Sequence, residues 1–320
     1  MNVGFALPQF DYSVPGRTSI EWEDLSWWAI EAERLGFTSL WLADHLSMSL
    51  VKYGGPGDAY GGFDPLAALG ALSTITKRAQ LGTLVLCAPF RPAGVLAQQL
   101  AAIDVLSDGR LCVGLGAGWN EPEFSQAGLP FAPLGGRIRH LADVVRELQD
   151  VWTGAEAAAP CLPRPVQQPH PPVFLGGKGD GLLRTVATHA SGWNTAWAWT
   201  MEGWKGRSAV LDRLCAERDR DPGTVGRSLG LFTLVGESEA DLQARFRRLQ
   251  RDSPPGVIDG LDLDAWRQGH LVGTPEQVRE QAAAWEAAGV DTLIVGLGAV
   301  PFAATDPEDL VLAASALLLP

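Results

Sequence analysis

The sequence predicts an α/β fold: a single (β/α)8 TIM barrel over residues 1–320, with loop insertions at the carboxyl-terminal face of its strands. Three observations predict it. Eight short apolar runs alternate with longer amphipathic stretches over 320 residues, the length of one barrel with inserted loops. The runs are almost continuously apolar, as strands buried on both faces should be. Pro8-Gln9 follows the first run, where an open doubly wound sheet would carry a glycine fingerprint.

The elements follow in order. Val3–Leu7 reads as strand 1. Leu25, Trp28, Ala32 and Leu35, three or four residues apart, mark a helix that Gly36 stops. Ser39–Ala43 is strand 2, and the glycine-rich stretch Ser49–Gly62 a loop. A helix over Pro65–Thr76 leads to strand 3, Ala79–Leu86. The helix carrying Leu96, Leu100 and Ile103 ends near Ser107-Asp108-Gly109, ahead of strand 4, Leu111–Leu115. Leu141, Val144, Val145, Leu148 and Trp152 line one face of the next helix. Ala155–Pro172, rich in alanine and proline, reads as irregular. Val173–Leu175 is strand 5, followed by a helix from about Asp180; Gly192–Ala196 is strand 6 and Leu229–Val235 strand 7. Arg251–Gly269, broken by Pro254-Pro255, reads as an excursion. Thr274-Pro275-Glu276-Gln277 is a capping box with proline in the first turn, and Val278, Ala282 and Trp285 give that helix its apolar face. Asp291–Val295 is strand 8, and a last helix runs over Pro307–Leu318.

Composition narrows the function. With 46% hydrophobic and 19% charged residues the chain is not disordered. A net charge of -12 with no basic run disfavours nucleic acid and anionic membranes as partners. The amino terminus reads as a strand rather than a signal peptide, and no apolar run approaches a membrane span. Cys87, Cys112, Cys161 and Cys215 form no CxxC pair, which suits a reduced, cytoplasmic protein. His140, His170, His189 and His270 show no metal-ligand spacing, so no catalytic metal is expected.

In such barrels the residues just past each strand carry the chemistry. Asp44-His45 ends strand 2, pairing a histidine that titrates near neutrality with a carboxylate that can tune it; a loop cap is the plain alternative. Gly176-Gly177-Lys178-Gly179 precedes a helix start, where backbone N–H groups, the helix dipole and a lysine favour a phosphate; a tight turn is the alternative. Gly114, Gly116 and Gly118 at the end of strand 4 leave room for a flat ring or for close packing. Trp119, and Trp193, Trp197, Trp199 and Trp204 after strand 6, are either core residues or an apolar substrate wall.

Taken together, these strand ends resemble the luciferase-like monooxygenase superfamily, including its deazaflavin-dependent branch. The matching stretches are Ala32–Phe37 leading to Leu40–Leu46, Ala97–Leu111, Gly114–Trp119, Pro172–Gly177, Ala190–Asn194 and Val272–Val278. The resemblance implies a flavin or deazaflavin held in the barrel mouth. It places Asp44 and His45 beside the reacting centre, and at Leu86-Cys87-Ala88 a bulge, often with a non-prolyl cis peptide. It assigns Gly116 and Asn120 to cofactor contacts, and Gly176, Gly177, Lys178 and Gly179 to the cofactor phosphate. Trp119, Trp193 and Trp197 become the substrate pocket. The sequence departs from some deazaflavin dehydrogenases, which carry a glutamate shortly after the strand 4 glycines. Here Trp119 stands near that place, with Glu121 and Glu123 beyond it, which counts against a sugar-phosphate dehydrogenase.

Three readings follow from the resemblance. The first is hydride transfer between coenzyme F420 and a small organic substrate, which the Asp-His-Leu ending of strand 2 favours. The second is an FMN-dependent monooxygenase using oxygen. The third is a flavin-binding barrel without turnover. A homodimer is compatible with all three.

Overall fold

A computed structural model describes residues 1–155 and 162–318. Eight parallel strands close into a barrel: β1 Asn2–Ala6, β2 Ser39–Leu42, β3 Gln80–Thr83, β4 Leu111–Gly116, β5 Val173–Gly176, β6 Gly192–Ala196, β7 Gly226–Val235 and β8 Thr292–Gly296. Neighbours pair in sequence order, and β8 closes the ring on β1 with Asn2 opposite Thr292 and Phe5 opposite Val295. Around them lie α1 Trp22–Leu35, α2 Pro65–Ile75, α3 Ala93–Leu106, α4 Leu134–Thr153, α5 Asp180–His189, α6 Met201–Ala216, α7 Pro275–Ala287 and α8 Pro307–Leu317. No helix among the described residues is long and apolar enough to cross a membrane.

Local chemistry sets the helix ends where the sequence places them. Gly36 takes φ 103°, and its N–H reaches the carbonyls of Ala32 and Glu33 to end α1. Thr274 accepts the Gln277 N–H and Gln277 reaches back, the reciprocal box that starts α7. Strand residues that face outward, such as Phe5, Leu40, Leu81, Val113 and Leu229, are buried in one core with the inner faces of the helices.

Inside the barrel, Trp41 and Phe174 take the space that its strands leave. A side chain on Gly82 would lie 2.3 Å from the Trp41 ring, and one on Gly192 would lie 2.2 Å from Phe174. These close approaches require glycine and fill the barrel. Open volume is thereby left to its carboxyl-terminal mouth.

Strand 3 differs from the expected continuous run. β3 stops at Thr83, the chain bulges through a non-prolyl cis peptide at Leu84–Val85, and Leu86–Cys87 then rejoins β4. The Thr83 side chain supports the bulge: its Oγ1 donates to the Gly114 carbonyl and accepts the Gly114 N–H, each at 2.8 Å. The cis bond therefore lies two residues ahead of the stretch expected to carry it.

The predicted loop after strand 2 and the predicted excursion after strand 7 both carry structure. The β2 loop forms a small hairpin, Met48–Ser49 with Ala59–Tyr60, around a helical turn at Val51–Tyr53. After β7, helices Glu239–Asp252 and Leu263–Arg267 precede a short strand, Leu271–Gly273, that pairs with β7. The two excursions meet where a side chain on Gly54 would lie 2.9 Å from the Gly256 carbonyl. Part of the irregular stretch expected at Ala155–Pro172 lies outside the described residues; the rest contains cis Pro163 and cis Pro169.

Candidate active site

Asp44 and His45 follow β2 with only Ala43 between, yet their side chains have different partners. Asp44 is 4% exposed. Its carboxylate accepts both Arg91 nitrogens, at 2.6 and 3.1 Å, and the Cys87 N–H at 2.9 Å. Arg91 also donates to Asp64, at 2.7 Å. Burial alone would lower the Arg91 pKa, but the two carboxylates outweigh it and hold the guanidinium above its ordinary range. Asp44 thus anchors the strand that follows the bulge.

His45 pairs with Glu123, a residue only 2% exposed in the short helix Glu121–Gln126. Its Nδ1 lies 2.9 and 3.1 Å from the two carboxylate oxygens. Glu123 also accepts the Ser47 N–H at 3.3 Å. The pairing places the Nδ1 proton against the carboxylate and leaves Nε2 without a hydrogen bond among the described residues. Phe10 and Trp119 flank the imidazole, with ring centres 6.2 and 5.6 Å away.

Two adjoining cavities open at the barrel mouth. The first, of about 730 Å³, lies over the ends of β3 to β5; Leu84, Val85, Leu86 and Cys87 form one side. The amino ends of α4 and α5 reach it through Gly135 and through Gly179 to Gly181. The second, of about 210 Å³, lies between the β2 loop and the residues after β6 and β8. The two share His45, Leu84, Val85, Trp119 and Gly176 to Lys178. Burial, then the charges of Asp44 and Glu123, push the Cys87 thiol far up, so at neutral pH it is a protonated, apolar part of the wall.

A family model described as luciferase-like monooxygenase matches residues 1–292. The chain belongs to the luciferase-like monooxygenase family. Over 302 residues it is 25% identical to the FMNH(2)-dependent dimethylsulfone monooxygenase of Pseudomonas putida, covering 83% of this chain and 80% of that one. Over 134 residues it is 34% identical to the F420-dependent glucose-6-phosphate dehydrogenase of Amycolatopsis mediterranei, covering 41% of this chain and 38% of that one. An F420-dependent secondary alcohol dehydrogenase, solved with an F420-acetone adduct, superposes with a TM-score of 0.77 at 17% identity, covering 99% of this chain and 98% of that one. Enzymes of this family with either cofactor are therefore related to the chain.

Most of the site residues expected from the sequence border this family barrel's mouth. Asp44, His45, Leu86, Cys87, Gly116, Trp119, Asn120 and Gly176 to Gly179 line the first cavity, and Trp197 lines the second. Two expectations need correction. Ala88 is fully buried in the layer between strands and helices, and lines neither cavity. Trp193 also lines neither: it is 0% exposed, stacks on Trp204 at 5.7 Å and donates its indole N–H to the Gly177 carbonyl at 2.7 Å. Side chains alternate along a strand, so Trp193 faces the helices while its neighbour Asn194 faces the mouth. Trp193 shapes the glycine turn from behind.

The glycines divide between the two uses that the sequence left open. A side chain on Gly116 would lie 2.7 Å from Val85, and one on Gly176 would lie 2.9 Å from it, so close packing of the bulge requires both. At Gly179 a side chain would meet nothing within 4 Å, so that backbone is open. Glu123, Arg91, Val85 and Lys52 were missed as site residues. Glu123 stood out as an acid beyond Trp119, but its contact with His45 crosses 78 positions of sequence.

Proposed function

We propose that the chain is an oxidoreductase that takes coenzyme F420 in the first cavity and moves a hydride between it and a small organic substrate in the second. His45 carries this reading: it stands on the wall common to both cavities with Nδ1 engaged by Glu123. The first cavity suits such a cofactor. Its volume is that of a cofactor site, two helix amino ends reach it, and the Gly179 backbone is open to an anion. Gly176, Gly177, Lys178 and Gly179 would hold the phosphate, Asn120 would add a polar contact, and Leu86, Cys87 and Gly116 would complete the wall. When bound, a deazaflavin would carry the hydride, giving or accepting it at its ring.

The chain's own residues do the rest. Asp44 and Arg91 fix the Cys87 strand behind the cavity. Glu123 sets the tautomer of His45, which holds or delivers the accompanying proton at Nε2.

A second reading, a monooxygenase using reduced FMN, is supported by the extended similarity to the dimethylsulfone enzyme. Fluorescence titration of the purified protein with F420 and separately with FMN decides between them. Tight F420 binding is expected, weakened by Lys178→Ala at unchanged Tm. Tight FMN binding without F420 binding supports the second reading, and binding of neither points to a barrel without turnover. Unchanged cofactor affinity in Lys178→Ala rejects the phosphate assignment.

A further inference from the structure

The second cavity is bordered by two cations that the cofactor reading leaves partly unexplained. Lys52 projects from the turn Val51–Tyr53, with its Nζ 4.3 Å from the ring centre of Trp119 and 5.7 Å from that of Tyr53. Lys178 leaves the turn after β5, with its Nζ 4.3 Å from the ring centre of Trp199. Lys52 and Trp199 line the second cavity and not the first; Lys178 borders both.

No aspartate or glutamate among the described residues lines the second cavity. The acids bordering the first are already engaged: Asp44 by Arg91, Glu123 by His45 and Asp180 by Arg207. Burial, and then the charge of Lys178, hold the Lys52 ammonium below the ordinary lysine range. In a chain with 37 acidic and 25 basic residues, two mutually repelling lysines without an acid between them make a local positive field in a negative protein.

A second observation comes from the β6 wall. Asn194 is 2% exposed and lines this cavity, and its Nδ2 has no hydrogen-bond partner. A buried donor of this kind calls for an acceptor, which a ligand in the cavity would provide. Besides His45 and Thr195, the remaining side chains of the wall are mainly apolar or aromatic, among them Met48, Tyr53, Trp119, Trp197 and Phe302. Lys52 itself is exposed, but the turn that carries it is fixed. Leu50 beside it is fully buried, the hairpin brackets its turn, and Gly54 packs on Gly256.

We propose that the second cavity binds a small organic anion, an apolar or aromatic body bearing a carboxylate, whose charged group lies against Lys52 with Asn194 as a further donor and Lys178 adding to the positive field from the cofactor side. The cavity's size, about 210 Å³, suits a single ring with one substituent. That this anion is the reaction's substrate rests on the oxidoreductase reading above; that it binds does not.

The test is calorimetric titration of the cofactor-free protein with benzoate and with its uncharged counterpart, benzyl alcohol, alongside the F420 and FMN titrations. Benzoate is expected to bind about tenfold more tightly than benzyl alcohol. Lys52→Met is expected to abolish that preference while leaving Tm, cofactor affinity and benzyl alcohol affinity in place, and Lys52→Arg to restore most of it. Equal affinity for the two probes, or a preference that survives Lys52→Met, overturns the proposal. So does a Lys52→Met variant that loses cofactor affinity and keeps its benzoate preference. Cofactor binding without a benzoate preference sinks the anion site alone. A lysine-dependent preference without binding of either cofactor sinks the cofactor reading alone.

Discussion

Asp44→Asn separates a structural carboxylate from a proton-handling one. Asparagine has nearly the same shape and its oxygen can still accept the Cys87 N–H, but its amide nitrogen is a donor, so the charge and one of the two Arg91 hydrogen bonds are lost together. What it removes is a bidentate pair at 2.6 and 3.1 Å, with the Asp44 side chain 2% and the Arg91 side chain 14% exposed. Breaking a buried pair by neutralising one partner costs about 3–5 kcal/mol, because a buried charge is left behind. Arg91 keeps Asp64, whose side chain is 51% exposed and therefore a weaker partner. The cost should therefore fall at the lower limit, about 3 kcal/mol, or a fall in Tm of about 4–5 °C for a chain of this size. Arg91→Met combined with Asp44→Asn should recover part of the loss, with a coupling energy of about 2 kcal/mol. Urea denaturation of the four proteins in the cycle measures it. An Asp44→Asn protein as stable as wild type, with no coupling to Arg91, would refute the reasoning and return Asp44 to the chemistry.

Further outcomes follow from the same geometry. Glu123→Gln replaces a charge-assisted bond on His45 Nδ1 with a neutral one, a difference of about 1–2 kcal/mol, so the share of the Nε2–H tautomer should rise about tenfold. Imidazole ¹⁵N chemical shifts report it, and unchanged shifts would remove Glu123 as the orienting group. A side chain on Gly114 would lie 1.9 Å from the Thr83 carbonyl, which is backbone and cannot swing away; Gly114→Ala should cost about 3 kcal/mol by thermal melt. Gly179→Ala, in open space, should leave Tm within a degree and weaken cofactor binding only. Burial works against the ionised form of Glu33, but the N–H groups of Lys77, Arg78 and Ala79 prevail and hold its pKa below the ordinary value. A carboxylate depressed in the folded state adds stability above its unfolded pKa, and loses it as pH falls through the folded value. Glu33→Gln should thus lower Tm by about 2 °C at pH 7, about 1 kcal/mol after solvent screening, and the gap to wild type should close below pH 4; a constant gap contradicts the linkage.

Legibility followed the range of the forces involved. Gly36 and the Thr274–Gln277 box act over four residues, so their helix ends were readable. Strand ends were readable because a run buried on both faces stops where polar residues begin, which put Asp44, His45 and the Gly176–Gly179 turn at the mouth. The break within strand 3 was not readable at its true place. It depends on Thr83 substituting its hydroxyl for a strand contact with Gly114, 31 positions away. Trp193 looked like a pocket residue because it stands with Trp197, Trp199 and Trp204 in a tryptophan-rich stretch at the end of strand 6, but the parity of β6 turns it toward Trp204.

The order of apolar runs, with a polar residue at each end, determined the barrel and the face on which its chemistry lies, because burial and backbone pairing are local and periodic. Tertiary structure alone decided the partners. Pairing of β2 with β3 sets Arg91 beside Asp44, the short helix after β4 brings Glu123 to His45, and the β2 loop puts Lys52 on the same cavity as Lys178. Side-chain charges and hydrogen bonds act across a few ångströms of space, whatever the distance along the chain.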